Sequence, residues 1–479
     1  MADTTNLHIA VVGGGPGGYA AAFLAADLGM KVTLIDPEIN PGGVCLYRGC
    51  IPSKALLHVA KLIEEAHQAK NWGVEFDAPH IDVSRLRSWK EGVVKKLTGG
   101  LGMLSKQRSV KYIQGWAGFE NSTTLRVTKP DKTEETLSFD RIILATGSRP
   151  AIIPSLKLDS PRVMDSTTAL DLTDVPATVL VVGGGYIGLE LGTVYAALGT
   201  RVTVVEMLPG LLPGADRDLV LPLHKHLEKS FASILLNTTV AAMREEADGI
   251  HVSFKPTAEA QQAASAANEQ VFDKVLVSVG RKPNSEIRGL ENTSVTVSPR
   301  GFIEVNRQLQ TDDPVIYAIG DVIGEPMLAH KASHEGRTAV EAIAGHKVAF
   351  EPNAIPAVVF TDPEIAWCGL TQTQAEKENR KIQVAKFPWG ASGRALTLDR
   401  TEGMTKLLID PDTERVLGMG IVGAGAGELI AEGVLAIEMG ALARDVGLTI
   451  HPHPTLSETI MEAAEVFYGQ ATDIYRPRK

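Results

Sequence analysis

Apolar positions in this chain fall into short continuous runs bounded by glycine-rich turns and helix-period stretches, which is the pattern of strands buried on both faces of a parallel sheet. His8-Ile9-Ala10-Val11-Val12 is such a run. It leads into Gly13-Gly14-Gly15-Pro16-Gly17-Gly18 and a helical pattern over 19–28. The same order returns at Thr178–Val182, then Gly183-Gly184-Gly185-Tyr186-Ile187-Gly188 and a helical pattern over 189–198. Each unit continues into a second strand that ends in an acid, Asp36 or Glu206, 23 positions after its first glycine (13 to 36, 183 to 206). Two dinucleotide-binding units are therefore predicted. Gly13 and Gly183 make the tight turn, Gly15 and Gly185 let backbone approach a pyrophosphate, and Gly18 and Gly188 let helix pack on strand. The anion then sits at a helix N-terminus, where free N–H groups and the helix dipole favour it. Asp36 and Glu206 accept hydrogen bonds from a ribose 2′-hydroxyl and repel a 2′-phosphate, so the nicotinamide partner is expected to be NAD and not NADP.

Between the repeats, a helical pattern covers 55–70, a loop-like segment with Pro79 follows over 72–83, and Arg141–Leu144 reads as a buried strand ending in Ala145-Thr146-Gly147. The alanine- and glutamine-rich stretch 255–270 lacks an apolar stripe and reads as a surface elaboration of the second unit. Beyond about residue 351 strand runs at 357–361, 406–409 and 416–422 precede helical patterns at 428–438 and 455–465, which fits a separate α+β domain.

Composition narrows the function class. A net charge of −10 over 479 residues disfavours nucleic acid as a partner. No run of about 18 apolar residues appears, so no membrane span is expected. The polar leader Met1 to Asn6 has no basic region followed by a cleavable core, so a cytoplasmic location is expected.

Three cysteines, Cys45, Cys50 and Cys368, are too few for a disulfide scaffold. The close pair Cys45 and Cys50 points to redox chemistry or to a metal, and the neighbouring 42–58 stretch supplies one histidine and no carboxylate, which argues against the metal. Residues five apart on a regular helix lie too far from each other for a disulfide, so the backbone must bend, and Gly49 and Pro52 permit it. A bond between them would close only a four-residue loop, of little value as a structural staple. Exchange chemistry suits it better. Near the C-terminus, His453 has Glu458 five positions on, a carboxylate placed to fix the imidazole tautomer and stabilise its protonated form. Cys368, beside Trp367 in an apolar run, is expected to be a core thiol.

The Gly-Gly-x-Cys-x4-Cys-x-Pro-Ser-Lys element at 42–54, the two glycine fingerprints, Ala145-Thr146-Gly147, the 316–321 run ending in Gly320-Asp321 and His453-Pro454-Thr455-Leu456-Ser457-Glu458 together resemble the pyridine nucleotide-disulfide oxidoreductases, in that family's order and across almost the whole chain. The resemblance implies an α/β fold with two Rossmann-like dinucleotide-binding domains plus an α+β C-terminal dimerisation domain. FAD would occupy 1–150 and 281–350, NAD would occupy 151–280, and 351–479 would form the interface of a homodimer. It also implies that Asp321 contacts the flavin ribityl chain, that Ala329 lies near the isoalloxazine, and that Lys54 pairs with Glu190 beside it. Ala117, Gly147, Val240 and Gly280 are among the further cofactor contacts implied. By the same resemblance His453 and Glu458 reach the disulfide of the other subunit, and Cys50 lies against the flavin.

Within the family, Gly188 and Glu206 match the NAD-linked members, and no cysteine follows Cys368 to form a second redox pair. The branch that oxidises dihydrolipoamide is implied, with lipoyl domains of a 2-oxoacid dehydrogenase acyltransferase core or a glycine-cleavage lipoyl protein as partners. A related reductase acting on another small disulfide, or a redox sensor binding FAD and NAD without turnover, are the alternatives. Arg48 replaces the apolar residue that many members carry before the Gly-Cys pair. It either faces solvent or a nearby acid, or it lies close enough to the cysteines to stabilise a thiolate.

Overall fold

The computed structural model describes residues 7–257 and 269–475. Its first sheet has five parallel strands in the order Ile316–Ala318, Arg141–Leu144, His8–Val12, Lys31–Asp36, Lys111–Gln114. Its second has five more in the order Ser233–Leu235, Arg201–Val205, Thr178–Val182, Lys274–Val277, Val163–Met164, also parallel. The registers correspond: Val12 faces Ile35 and Leu144, and Val182 faces Val205 and Val277. Every residue from Ile9 to Val12 and from Val179 to Val182 is buried, which is why these strands read as unbroken apolar runs.

The chain passes from the first unit to the second through Ser148–Pro150 and returns through Arg281–Pro283, and these two segments pair antiparallel. Only after that return does it supply the edge strand Ile316–Ala318 and the helix Ala329–Ile343 to the first unit. That helix packs on Pro16–Asp27 so closely that a Cβ on Gly336 would lie 2.6 Å from the Gly17 carbonyl oxygen. The 255–270 elaboration falls mostly outside the described residues; its flanking strands Gly249–Pro256 and Glu269–Phe272 pair antiparallel.

The third body is a five-stranded antiparallel sheet, ordered Ala357–Val359, Glu364–Gly369, Val416–Gly423, Met404–Ile409, Gln383–Pro388, with helices Ala426–Glu438 and Glu458–Tyr468 packed on it. The last helix starts three residues later than the apolar period predicts, because 455–457 form the turn that Glu458 caps. Cys368 is buried in this core, and burial pushes its thiol up to about 12, which leaves it inert. A buried charge cluster joins this sheet to the second unit. Lys406 Nζ lies 2.7 Å from both Asp216 Oδ2 and Asp218 Oδ1. Burial alone would raise the Asp216 carboxyl, but Lys406 and the N–H groups of Thr373 and Gln372 override it and hold it at about 2. No helix among the described residues is long and apolar enough to cross a membrane.

Candidate active site

A cavity of about 660 Å³ opens at the carboxyl ends of the first sheet's strands, the place where open parallel sheets bind ligands. Gly13 and Gly15 line its floor. Gly13 adopts φ +104°, and a Cβ there would sit 2.1 Å from the Ala145 carbonyl oxygen, so the turn admits glycine only. Gly18 lies beneath: its Cβ would meet the Gly13 oxygen at 1.8 Å, which is the close helix-on-turn packing expected of the third glycine. Asp36 closes one end, and its Oδ2 accepts from Gly14 N at 2.5 Å. Burial pushes the Asp36 carboxyl up, while the Gly14 N–H and Arg48 pull it back.

The second unit repeats the arrangement. Gly183 has φ +106°, a Cβ on Gly188 would lie 2.6 Å from the Gly183 oxygen, and Gly185 caps the helix Tyr186–Ala197. Glu206 accepts from Gly184 N at 2.6 Å and from Leu208 N at 2.8 Å. Gly280, at φ +124°, accepts from Ala151 N at the connecting ribbon, and Val240 is half-buried in the strand Thr238–Glu246 opposite Phe254. None of these six residues lines the 660 Å³ cavity. Ala117, Gly147, Asp321 and Ala329 all do.

The cysteines stand at the other end. The helix Gly43–Arg48 stops at Gly49 and the helix Cys50–Gln68 starts at once, and a Cβ on Gly49 would crowd the Val44 carbonyl oxygen at 2.9 Å. This break brings the Cys45 and Cys50 side chains together as free thiols, close enough for each to shift the other's titration. The Cys45 S–H first, then the Lys54 ammonium, outweigh burial and bring the Cys50 thiol down to about 7. The Cys45 thiol shifts up, through its bond to Cys50 and through burial. Lys54 Nζ sits 2.7 Å from Glu190 Oε2 and 4.5 Å above the Phe360 ring, and Glu190 Oε1 accepts from Phe360 N at 3.0 Å. All three bodies thus meet at one lysine.

Arg48 does not take that place. Its guanidinium pairs with Glu38 in the loop after Asp36, which is the plainer of the two readings. Arg48 ends its helix facing that loop, whereas Lys54, one turn into the next helix, is the cation that bears on Cys50.

Three cavity residues escaped the sequence reading. Ser148 Oγ donates to Asp321 Oδ2 at 2.5 Å and accepts from Arg281 Nε at 2.7 Å, a chain that ties the ribbon between the units to the cavity. Tyr186, inside the second fingerprint, projects into the same cavity, and burial pushes its hydroxyl up to about 12. Only Tyr186 had a signal, its place in a fingerprint position where small residues also fit.

His453 and Glu458 form a dyad away from the cavity. His453 Nδ1 and Glu458 Oε1 are 2.8 Å apart, and Glu458 Oε2 accepts from Thr455 N at 2.8 Å. Burial opposes the Glu458 charge, but the Thr455 N–H and His453 hold its carboxyl below the usual range. With Nδ1 donating to Glu458, Nε2 is left as the basic atom. The His453 side chain is 79% exposed, so within one chain its Nε2 has solvent and not the cysteines before it.

The profile of the pyridine nucleotide-disulphide oxidoreductases matches residues 7–336, and that of the family's dimerisation domain matches 355–464. A dihydrolipoyl dehydrogenase of Haemophilus influenzae is 48% identical over 475 residues, 99% of this chain and 98% of that one. One from Geobacillus stearothermophilus is 45% identical over 459 residues, 96% of each. Among solved structures, LpdA of Mycobacterium tuberculosis superposes with a TM-score of 0.88 at 26% identity, covering 96% of this chain and 99% of that one. The HOCl-induced flavoprotein disulfide reductase RclA of Escherichia coli, as its Cu(II) complex, gives 0.85 at 27% identity, with 96% and 99% covered. The paired fingerprints, the broken helix with its two thiols and the C-terminal sheet therefore belong to one scheme, and this chain is a member of the pyridine nucleotide-disulphide oxidoreductase family.

Proposed function

We propose that this protein oxidises dihydrolipoamide to lipoamide through a Cys45–Cys50 disulfide, with FAD and NAD as cofactors. The observation that carries this reading is the pair of neighbouring thiols beside Lys54–Glu190, at one end of a cavity whose other end is a dinucleotide fingerprint. The cavity fits FAD: its volume lies within the range of ligand sites, roughly 300–1,000 Å³, it holds a glycine turn open to a pyrophosphate, and it presents Asp36 as a hydroxyl acceptor. Gly13, Gly15, Asp36, Ala117, Gly147, Asp321 and Ala329 would hold FAD, and Gly183, Gly185, Gly188, Glu206, Val240 and Gly280 would serve NAD. FAD and NAD, when bound, would supply the two-electron and hydride chemistry that returns the cysteine pair to its disulfide.

The chain's own residues do the thiol chemistry. The enzyme starts with Cys45 and Cys50 joined. His453 of the partner subunit, oriented by Glu458, takes a proton from one substrate thiol, and the thiolate attacks Cys45 Sγ. The Cys45–Cys50 bond breaks, a mixed disulfide forms, and Cys50 leaves as a thiolate that Lys54 stabilises. The second substrate thiol then displaces Cys45, its proton passing to the departing Cys45 sulfur, so lipoamide departs oxidised and both cysteines are left reduced. The solvent-facing His453 and the family's dimerisation domain support a homodimer that shares its site in this way. Lipoyl domains of a 2-oxoacid dehydrogenase core or of the glycine-cleavage system are the proposed carriers, in the cytoplasm, where thiols stay reduced.

The test is NADH formation, followed at 340 nm, on adding dihydrolipoamide to the FAD-loaded protein. Cys45→Ser should abolish it. Greater turnover of a non-lipoyl dithiol, or none with any, would overturn the assignment.

A further inference from the structure

The loop that carries His453 holds a second histidine in a different condition. The His451 side chain is 4% exposed, and both ring nitrogens are engaged: Nδ1 lies 2.8 Å from the Thr449 carbonyl oxygen and Nε2 lies 2.8 Å from Glu432 Oε1. A carbonyl and a carboxylate can only accept. Both ring nitrogens therefore face acceptors, Nε2 meeting Glu432 of the helix Ala426–Glu438, an arrangement that suits a protonated ring.

The rest of the loop is stitched around the dyad. Thr455 Oγ1 donates to the Pro452 oxygen at 2.8 Å, Thr455 N donates to Glu458 Oε2, and Glu458 Oε1 meets His453 Nδ1. His451 fastens the start of this loop to one helix and Glu458 fastens its end to another. His453 hangs between the two anchors. Among the described residues, the titratable groups bonded within this arrangement are Glu432 from its helix, Glu458 from the last helix, and the two histidines, and His451 is among the groups that hold the Glu458 carboxyl down.

We propose that His451 is a positioning residue for His453: bonded through both ring nitrogens, it fixes the loop that presents the base and supplies the positive charge that offsets Glu432 and Glu458. The inference rests on His453 being the base of the proposed reaction. A base must be unprotonated to take a thiol proton, and neighbouring carboxylates favour the protonated ring while a neighbouring cation disfavours it. His453 bonds to one carboxylate, Glu458, and without His451 the Glu432 carboxylate at the start of the same loop loses its partner.

The experiment uses the FAD-loaded dimer and the pH dependence of kcat/KM for dihydrolipoamide. His451→Asn removes the charge and should move the midpoint of the acid limb up by about half to one pH unit. His451→Lys keeps a cation beside Glu432 and should leave the midpoint within about 0.3 unit of the parent while lowering the rate. Flavin absorbance and elution as a dimer establish that each variant is folded. Equal midpoints in the parent and both variants, or equal displacement in both variants, would overturn the proposal, because a purely structural role lowers the rate without sorting the variants by charge. Failure of the underlying reading is separate: His453→Gln would then keep both its activity and the acid limb.

Discussion

Replacing Lys54 by methionine tests the central electrostatic claim of the site. The substitution keeps the aliphatic stem over Phe360 and deletes the ammonium. A unit charge about one helical turn away, in an effective dielectric of about 20, contributes on the order of 2 kcal/mol to a thiolate. Glu190, 2.7 Å from the ammonium, cancels part of that, and Lys54 is about a third exposed to water, so roughly half survives. The expected rise for the Cys50 thiol is thus about one unit, from about 7 to about 8. At pH 7 the thiolate fraction would fall from about one half to about one tenth. The assay is the pH dependence of iodoacetamide alkylation of the reduced protein, with Cys45 held as serine in a parallel sample to separate the two sulfurs. In that sample the main stabiliser, the Cys45 S–H, becomes an O–H that still donates, so the Lys54 effect remains readable. Glu190→Gln removes a negative neighbour and should shift the midpoint in the opposite direction. An alkylation midpoint unmoved by Lys54→Met would refute the assignment of Lys54 as the thiolate's cation.

Arg48→Val should leave that same midpoint in place, since the guanidinium is spent on Glu38; a shift upward, measured by the same alkylation, would reinstate the thiolate role. Mixing inactive Cys45→Ser and His453→Gln proteins under subunit exchange should recover activity, since one heterodimer site is intact, and no recovery despite exchange shown by mass spectrometry would refute a shared site. Glu206→Ala with an arginine introduced nearby should raise kcat/KM for NADP relative to NAD; because Glu206 also holds Gly184 N and Leu208 N, affinity for NAD should fall as well. Lys406→Met leaves Asp216 buried without its cation, while Asp218 keeps Lys386, and should cost about 3–5 kcal/mol, read as a lower denaturant midpoint. Since the Asp216 carboxyl is held below its ordinary value, its stabilisation is present above about pH 4 and is lost as the pH falls toward 2, and Lys406→Met should be the less acid-sensitive protein.

What the sequence disclosed is what local backbone chemistry dictates. The two fingerprints, their acids and the break at Gly49 each depend on residues within a few tens of positions, and glycine at 13, 18 and 49 is required by contacts of 1.8 to 2.9 Å. The pairing of Lys54 with Glu190 is not local. It spans 136 positions and was reached through family resemblance alone. Ser148, Arg281 and the Lys406 cluster were missed because nothing in their neighbourhoods marks them; they acquire meaning only when the ribbon and the C-terminal sheet are assembled. His451 was passed over for a related reason. Its partner Glu432 lies 19 residues away on the helix Ala426–Glu438, whereas Glu458 stands close in sequence to His453 alone.

The ribbon formed by Ser148–Pro150 and Arg281–Pro283 has a consequence for how the protein is made. When a ribosome has extruded the first 150 residues, the first sheet has its inner strands and a glycine turn, but an open edge beside Arg141–Leu144. The strand that closes this edge, Ile316–Ala318, and the helix that covers Pro16–Asp27 come off the ribosome only after the whole second unit. At about 5–20 residues per second that delay is on the order of ten seconds to half a minute. The inserted unit receives its strands within one uninterrupted stretch and so can fold first, although its gene segment begins later. An open strand edge held that long is a pairing site for other nascent chains. The flavin-binding half is therefore the part of this protein most exposed to misassembly during synthesis, and the one for which early chaperone contact would matter most.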